Sequence, residues 1–196
     1  MIYEYLFLAI LFAYLRAKSF DHLWEVKIKA PYLILSCFVL QLIAMYLYDY
    51  SAFTKWFSLF IAASYLLLSI GALINKHLPG FILFSVGMFL NFLVIIINGG
   101  RMPVSSKALE AANLSHYIEI LESGYRKHQL INEHTMLPFL GDVIPLHLPY
   151  ALFDKVISIG DVIITFGMCI FFFYTITGIK SYVDIFHKNK KGLEID

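Results

Sequence analysis

Asp154, Ser158, Asp161 and Thr165 follow one another at spacings of four, three and four residues, so on a helix they form one polar stripe. Carboxylates and hydroxyls aligned in this way can act as acid and base or line a polar path. Asn91 and Asn98, seven residues apart with Gly87 four before Asn91, mark a second polar stripe in another apolar run. An ionisable group inside an apolar run is a functional hypothesis by default. Two readings of Asp161 stand. In one it is a functional or ion-paired group within a bilayer. In the other it lies at headgroup level, because Val162–Ile179 alone supplies 18 residues, about 27 Å of helix.

The run Asn98-Gly99-Gly100-Arg101-Met102-Pro103-Val104-Ser105 comes directly after the Asn stripe. Adjacent glycines permit backbone conformations closed to other residues, and Pro103 fixes the next turn. A tight turn here would point Arg101 at a partner; the simpler alternative is an ordinary helix exit. Asp142 and Asp161 are the natural carboxylates for a bidentate pair, and an anionic ligand or lipid headgroup is the other choice. We expect Arg101, Asp142 and Asp161 to converge. The candidate binding or structural cluster is therefore Asn91, Asn98, Arg101, Asp142, Ser158, Asp161 and Thr165, with Asp142 and Asp161 as its candidates for catalysis.

Other chemistry finds less support. His116, His128, His134 and His147 lie in one long segment with Glu133 beside His134, but their spacing fits no metal motif, lacking HExxH or a cysteine pair. His128, His134 and His147 are weak metal candidates, and no cofactor is implied. There is no GxSxG elbow, no Cys–His arrangement in a common loop and no DxxxD carboxylate array. Cys37 and Cys169 each sit in an apolar run and read as small buried hydrophobes.

The elements that must position these residues belong to a membrane protein. Of 196 residues, 60% are hydrophobic and only 15% charged, well below the share in soluble domains. The net charge of +1 excludes the broad basic patch of a nucleic-acid binder. Five apolar runs predict an all-α membrane domain over 1–196, with crossings at about 2–18, 31–48, 56–74, 80–97 and 156–179. The first is short and carries Glu4. Arg16 and Lys18 follow it rather than precede it, which argues for an uncleaved helix and against a signal peptide. Its Ala9, Ala13 and Ala17 form a small-residue face for packing within the chain, with a dimer seam as the second choice.

Arg16, Lys18, Lys27 and Lys29, then Lys76, then Lys180, Lys188, Lys190 and Lys191 fall on one side, nine of the fifteen basic residues. The positive-inside rule thus puts the N-terminus outside and the tail 180–196 in the cytoplasm. Asp49–Lys55 and Asn75–Pro79 are turn-length links that make their neighbours antiparallel. Phe20–Lys29 reads as a short interfacial helix. The segment 99–155 is a partly helical outer cap. Ser105 or Ser106 caps a helix running to about Ser123, stopped by Gly124, with Leu109, Leu114, Ile118 and Leu121 on its buried face. The stretch with Pro138, Gly141, Pro145 and Pro149 reads as ordered, non-helical chain.

The blocks NGGRMPVS (Asn98–Ser105), HTMLPFLGDVIP (His134–Pro145) and SIGD (Ser158–Asp161) resemble the signatures of a bacterial domain-of-unknown-function family of small polytopic membrane proteins. The resemblance covers nearly the whole chain. It implies a multi-pass location in the bacterial cytoplasmic membrane, and by matching position it marks Asn98, Arg101, Pro103, Thr135, Gly141, Asp142, Gly160 and Asp161. The first connection departs from the pattern, with Arg16-Ala17-Lys18 where a glycine-containing turn is expected. The functional expectation is a non-enzymatic structural, sensory or transport-accessory module. A membrane-embedded enzyme or small transporter with its site at the outer face under the cap is the alternative. Membrane lipids are the expected partners, with a second copy or a partner membrane subunit open, and nucleic acid excluded.

Overall fold

The computed structural model describes residues 2–47, 54–123, 128–147 and 154–178. The tail 180–196 with its lysines, residues 49–53 of the second link, Gly124 and Pro149 lie outside the described residues. Five long helices occupy the apolar runs: α1 (Ile2–Ala17), α3 (Pro31–Leu47), α4 (Thr54–Ile74), α5 (Phe81–Ile97) and α8 (Ile159–Thr177). Among the described residues α8 is the one helix both long and apolar enough to cross a membrane; Pro31–Ala44, Leu59–Ile74 and Phe81–Ile97 are shorter apolar stretches. The expected interfacial helix is a single turn, α2 (Asp21–Trp24), with Trp24 fully out on the surface.

The helices pack in the row α3–α4–α5–α8–α1, so the last helix inserts between α5 and the first. Glycine makes the central contact possible. A Cβ at Gly87 would lie 2.6 Å from the Gly160 carbonyl oxygen, and one at Gly167 would lie 2.7 Å from that of Gly80. The glycines, seven residues apart on each chain segment with Gly80 at the cap of α5, hold α5 and α8 antiparallel with their backbones in direct contact. The α4–α5 seam is polar instead. Ser69 Oγ donates to the Ser85 carbonyl (3.0 Å) and Ser85 Oγ to the Ser69 carbonyl (2.8 Å), a reciprocal pair with no leftover group. Asn75, fully buried, takes the Lys29 N–H (2.7 Å) and gives to its carbonyl (2.8 Å), tying the α4 terminus to the chain before α3. On the far side, Tyr5 meets Cys169, Phe12 stacks on Phe173 and His22 touches Gly178, an ascending series that makes α1 and α8 parallel.

The cap is more sheet-like than expected. Gly99 and Gly100 both take positive φ, turning the chain from α5 into β1 (Met102–Val104). Strand β1 pairs in parallel with β2 (His128–Leu130) on one side and bridges to Asp142 on the other. β3 (Ile144–Leu146) pairs antiparallel with β4 (Lys155–Ile157). The latter occupies the start of the expected last crossing, so α8 begins three residues later than Val156. The single expected cap helix is two: α6 (Ser106–Ala111), capped by Ser105 Oγ on the Ala108 N–H, and α7 (His116–Glu122). Asn113 breaks them by taking the left-handed conformation, which Asn tolerates better than most residues. Leu109 and Leu121, with Leu114 and Ile118, still face one small core against Val104 and Val156.

Candidate functional site

Ser158 and Asp161 are joined first by helix-end chemistry. Ser158 Oγ accepts from the Asp161 N–H (3.0 Å) while Asp161 Oδ2 accepts from the Ser158 N–H (3.2 Å), a capping box that satisfies the first free donors of α8. Asn91, across the glycine contact on α5, completes the set. Its Nδ2 donates to Asp161 Oδ1 (2.9 Å) and its Oδ1 accepts from Ser158 Oγ (3.0 Å). Thr165 Oγ1 bonds back to the Asp161 carbonyl at 2.7 Å. Asp154 does not join this stripe. It precedes β4, where the extended backbone breaks the helical spacing, and it is exposed.

Above this group lies a chamber of about 240 Å³ between the helices and the cap. Gln41 of α3, Tyr65 of α4, Asn91 of α5 and Asp161 of α8 supply its polar helical wall, and Ile61 and Ile95 an apolar one. The roof is Met102 of β1, His128 of β2 and Asp142. Asp142 is held by its backbone: its N–H donates to the Pro103 carbonyl (2.8 Å) and its own carbonyl accepts from the Ser105 N–H (3.0 Å). Gly141 allows that approach, since a Cβ there would overlap the Pro103 carbonyl. The Asp142 side chain is 10% exposed and lies 3.5 Å from His128 Nε2. Burial, and after it the Asp161 carboxylate, push the Asp142 carboxyl well above the usual range. His128 and Asp142 also border a second cavity of about 320 Å³, lined by Leu109, Tyr117 and Leu121 of the cap helices and by Asp154 and Lys155.

The structure thus brings together Asn91, Ser158, Asp161 and Thr165, and adds Asp142 from the cap. Arg101 is not with them: among the described residues it forms no ion pair with Asp142 or Asp161. Side chains alternate along extended chain, so the turn that sends Met102 into the chamber directs Arg101 elsewhere. Asn98 stands apart as a clasp, its Nδ2 donating to the Met136 carbonyl (2.8 Å) and its Oδ1 accepting from the Met136 N–H (2.9 Å), which fixes the cap to the end of α5. Thr135 closes a local turn with Asn132. His116 and His134 are exposed, His147 is half-buried, and no group of three or more His, Cys, Asp or Glu among the described residues stands ready to hold a metal.

Sequence reasoning missed Gln41 and Tyr65, whose only local signal was one amide in an apolar run for the former and none for the latter. It also missed the partner of Glu4. Lys155 Nζ donates to both Glu4 carboxylate oxygens (2.8 and 2.7 Å), pinning the start of α1 beside the strand that leads into α8. Burial is the largest single influence on the Lys155 ammonium and lowers its pKa, but the hydrogen bonds and charges around it, those of Glu4 foremost, together raise it above the ordinary value.

No solved structure matches the chain. An uncharacterized protein of Thermotoga maritima is 32% identical over 144 residues, 74% of this chain and 74% of its own. A family model described as a family of unknown function, DUF5317, matches residues 25–173, and the chain belongs to that family.

Proposed function

We propose that the protein is a non-enzymatic binding module of the bacterial cytoplasmic membrane, crossing it five times with the N-terminus outside, whose site is the chamber beneath the outer cap. Membrane embedding is supported by an inside-out distribution of polarity. Ser64, Asn75 and Asn91 are buried between helices, while Phe7, Phe12, Leu35, Leu42 and Phe166 turn outward, each more than half exposed. Apolar faces of that extent on five neighbouring helices suit lipid and not water. The parallel course of α1 and α8 agrees with an odd number of crossings.

The observation that carries the functional reading is the chamber itself, walled by polar groups from four helices, a strand and a loop. The neighbouring groups Asn91, Ser158 and Asp161 are hydrogen-bonded to one another, so they read as a frame. Asp142 and His128 stand between two cavities, which favours a small transporter as the second reading. Two substitutions test the proposal. Glu133→Cys, on the exposed face of the cap, is expected to react with an impermeant maleimide in intact spheroplasts; reaction only after lysis sinks the topology. Met102→Cys, in the chamber roof, is expected to react with methyl methanethiosulfonate well above the background of the parent cysteines. An inert thiol there sinks the chamber.

A further inference from the structure

The chamber has more acceptors than donors, and the excess can be counted. Ser64 Oγ donates to the Ile61 carbonyl (2.7 Å), so it must accept from Gln41 Nε2 (3.0 Å). That fixes the Gln41 amide with Oε1 on the other side, where no donor among the described residues meets it. The Asp142 carboxylate, on a residue only 7% exposed, accepts no hydrogen bond among the described residues; its near neighbour is His128 Nε2 at 3.5 Å. Asp161 accepts one bond on each oxygen and keeps further lone pairs. Against these stand the Tyr65 hydroxyl, the imidazole of His128, the second N–H of the Asn91 amide and the one proton of a neutral Asp142, fewer than the open lone pairs. No fully buried side-chain N or O among the described residues lacks a partner, so this surplus faces the open space of the chamber, where the donors of a ligand can meet it.

We propose that the chamber takes a protonated amine, with its ammonium among Asp142, Asp161 and the Gln41 carbonyl and its alkyl part against Ile61, Ile95 and Met102. This rests on the reading of the chamber as a binding site. An ammonium carries several donors and a positive charge, which matches the surplus in both respects. The Asp161 carboxylate disfavours an anion, and a bound ammonium would draw the proton off Asp142 so that both carboxyls face it charged. A bare metal ion fits poorly, since a hard cation draws six or more oxygens to within about 2.6 Å and no adequate set of charged ligands converges among the described residues. The volume of about 240 Å³ and the three apolar side chains leave room for a small organic group that a metal would not use. Tyr65, which also lines the chamber, is of the aromatic type that attracts organic cations.

The test is the melting temperature of the purified full chain in detergent, titrated with ethylammonium chloride and, separately, with sodium chloride, calcium chloride and ethanol. Ethylammonium alone is expected to stabilise. Its apparent affinity should fall about tenfold or more in Asp142→Asn, the loss of one charge-assisted bond. Gln41→Met, close in size, serves if that variant fails to fold. Equal stabilisation by sodium or calcium overturns the amine in favour of a metal. Undiminished binding in both variants puts the ligand elsewhere and also overturns it. No stabilisation by any solute, with the Met102→Cys thiol still reactive, leaves an open chamber and rejects the amine; an unreactive thiol rejects the chamber itself.

Discussion

Replacing Gly160 with alanine tests the packing on which the site depends. A Cβ at that position would overlap Asn91 Oδ1 and lie 2.9 Å from the Gly87 carbonyl oxygen. Ordinary contacts of this kind begin near 3.4 Å, so the helices must part by about half an ångström or the Asn91 amide must leave. Overpacking of this sort costs about 1–3 kcal/mol. Displacing the amide also breaks its bonds to Ser158 and Asp161, at about 1 kcal/mol for the first and somewhat more for the charged second. The sum is about 3–6 kcal/mol, or a fall in melting temperature of roughly 6–24 °C for a chain of this size.

Gly71→Ala is the control. Its Cβ would meet Ile34 at 3.5 Å and Leu33 at 3.8 Å, ordinary van der Waals contact, inside helix α4. There the substitution gains up to about 1 kcal/mol from helix propensity alone. The assay is thermal unfolding in detergent followed by helical circular dichroism, with the two variants and the parent side by side. If Gly160→Ala melts no lower than Gly71→Ala, the close α5–α8 contact is not what holds the bundle, and the reasoning fails.

Two further outcomes follow from the site. Asp161→Asn should destabilise by about 1–3 kcal/mol, because its one amide nitrogen must face either the Ser158 N–H or the Asn91 NH2, donor against donor; Asp154→Asn, exposed, should change the melting temperature by less than about 1 °C, and equal effects refute the frame. The folded-state pKa of Asp142 is raised, so the folded chain holds a proton that the unfolded chain releases near pH 4. Stability must then fall as pH rises from about 4 towards that raised value. The facing groups are Asp161 from α8, Tyr65 from α4 and His128 from β2. Melting curves of the parent and Asp142→Asn between pH 4 and 8 should diverge in favour of the variant as pH rises, and parallel curves contradict the burial.

The long helices were legible because long apolar runs are a one-dimensional signal: the breaks at Lys18, Ala30 and Gly80 fall where the hydropathy falls. The split of the cap helix at Asn113 and the strand at Lys155–Ile157 were not. The first is a local backbone choice within an amphipathic pattern that continues across it, and the second is imposed by pairing with Ile144–Leu146. Asp161 was singled out for its charge, yet its first duty is to close the end of α8, a role already written in the spacing of Ser158 and Asp161. Arg101 misled because charge complementarity says which groups would pair, and not which way a strand turns them.

The chamber was the least legible feature, since its walls come from residues as far apart as Gln41 and Asp161 with no spacing to link them. Even so, one spacing does constrain it. Gly80 at the cap of α5 and Gly87 within it, and Gly160 and Gly167 on α8, repeat the same seven-residue interval and interlock as Gly80 with Gly167 and Gly87 with Gly160. In an antiparallel pair that register carries on by one turn to put Asn91 against the start of α8, where Ser158 and Asp161 meet it. The glycines therefore set more than a packing distance: they fix which residues form the chamber floor. A slip of α8 by a single turn would leave Asn91 opposite apolar chain and Asp161 without its amide. The cap is tied to the same register, because Asn98 clasps Met136 from the next two turns of α5. Floor and roof are thus held to one helix, and the acceptor surplus between them is a consequence of that register and not of any single residue.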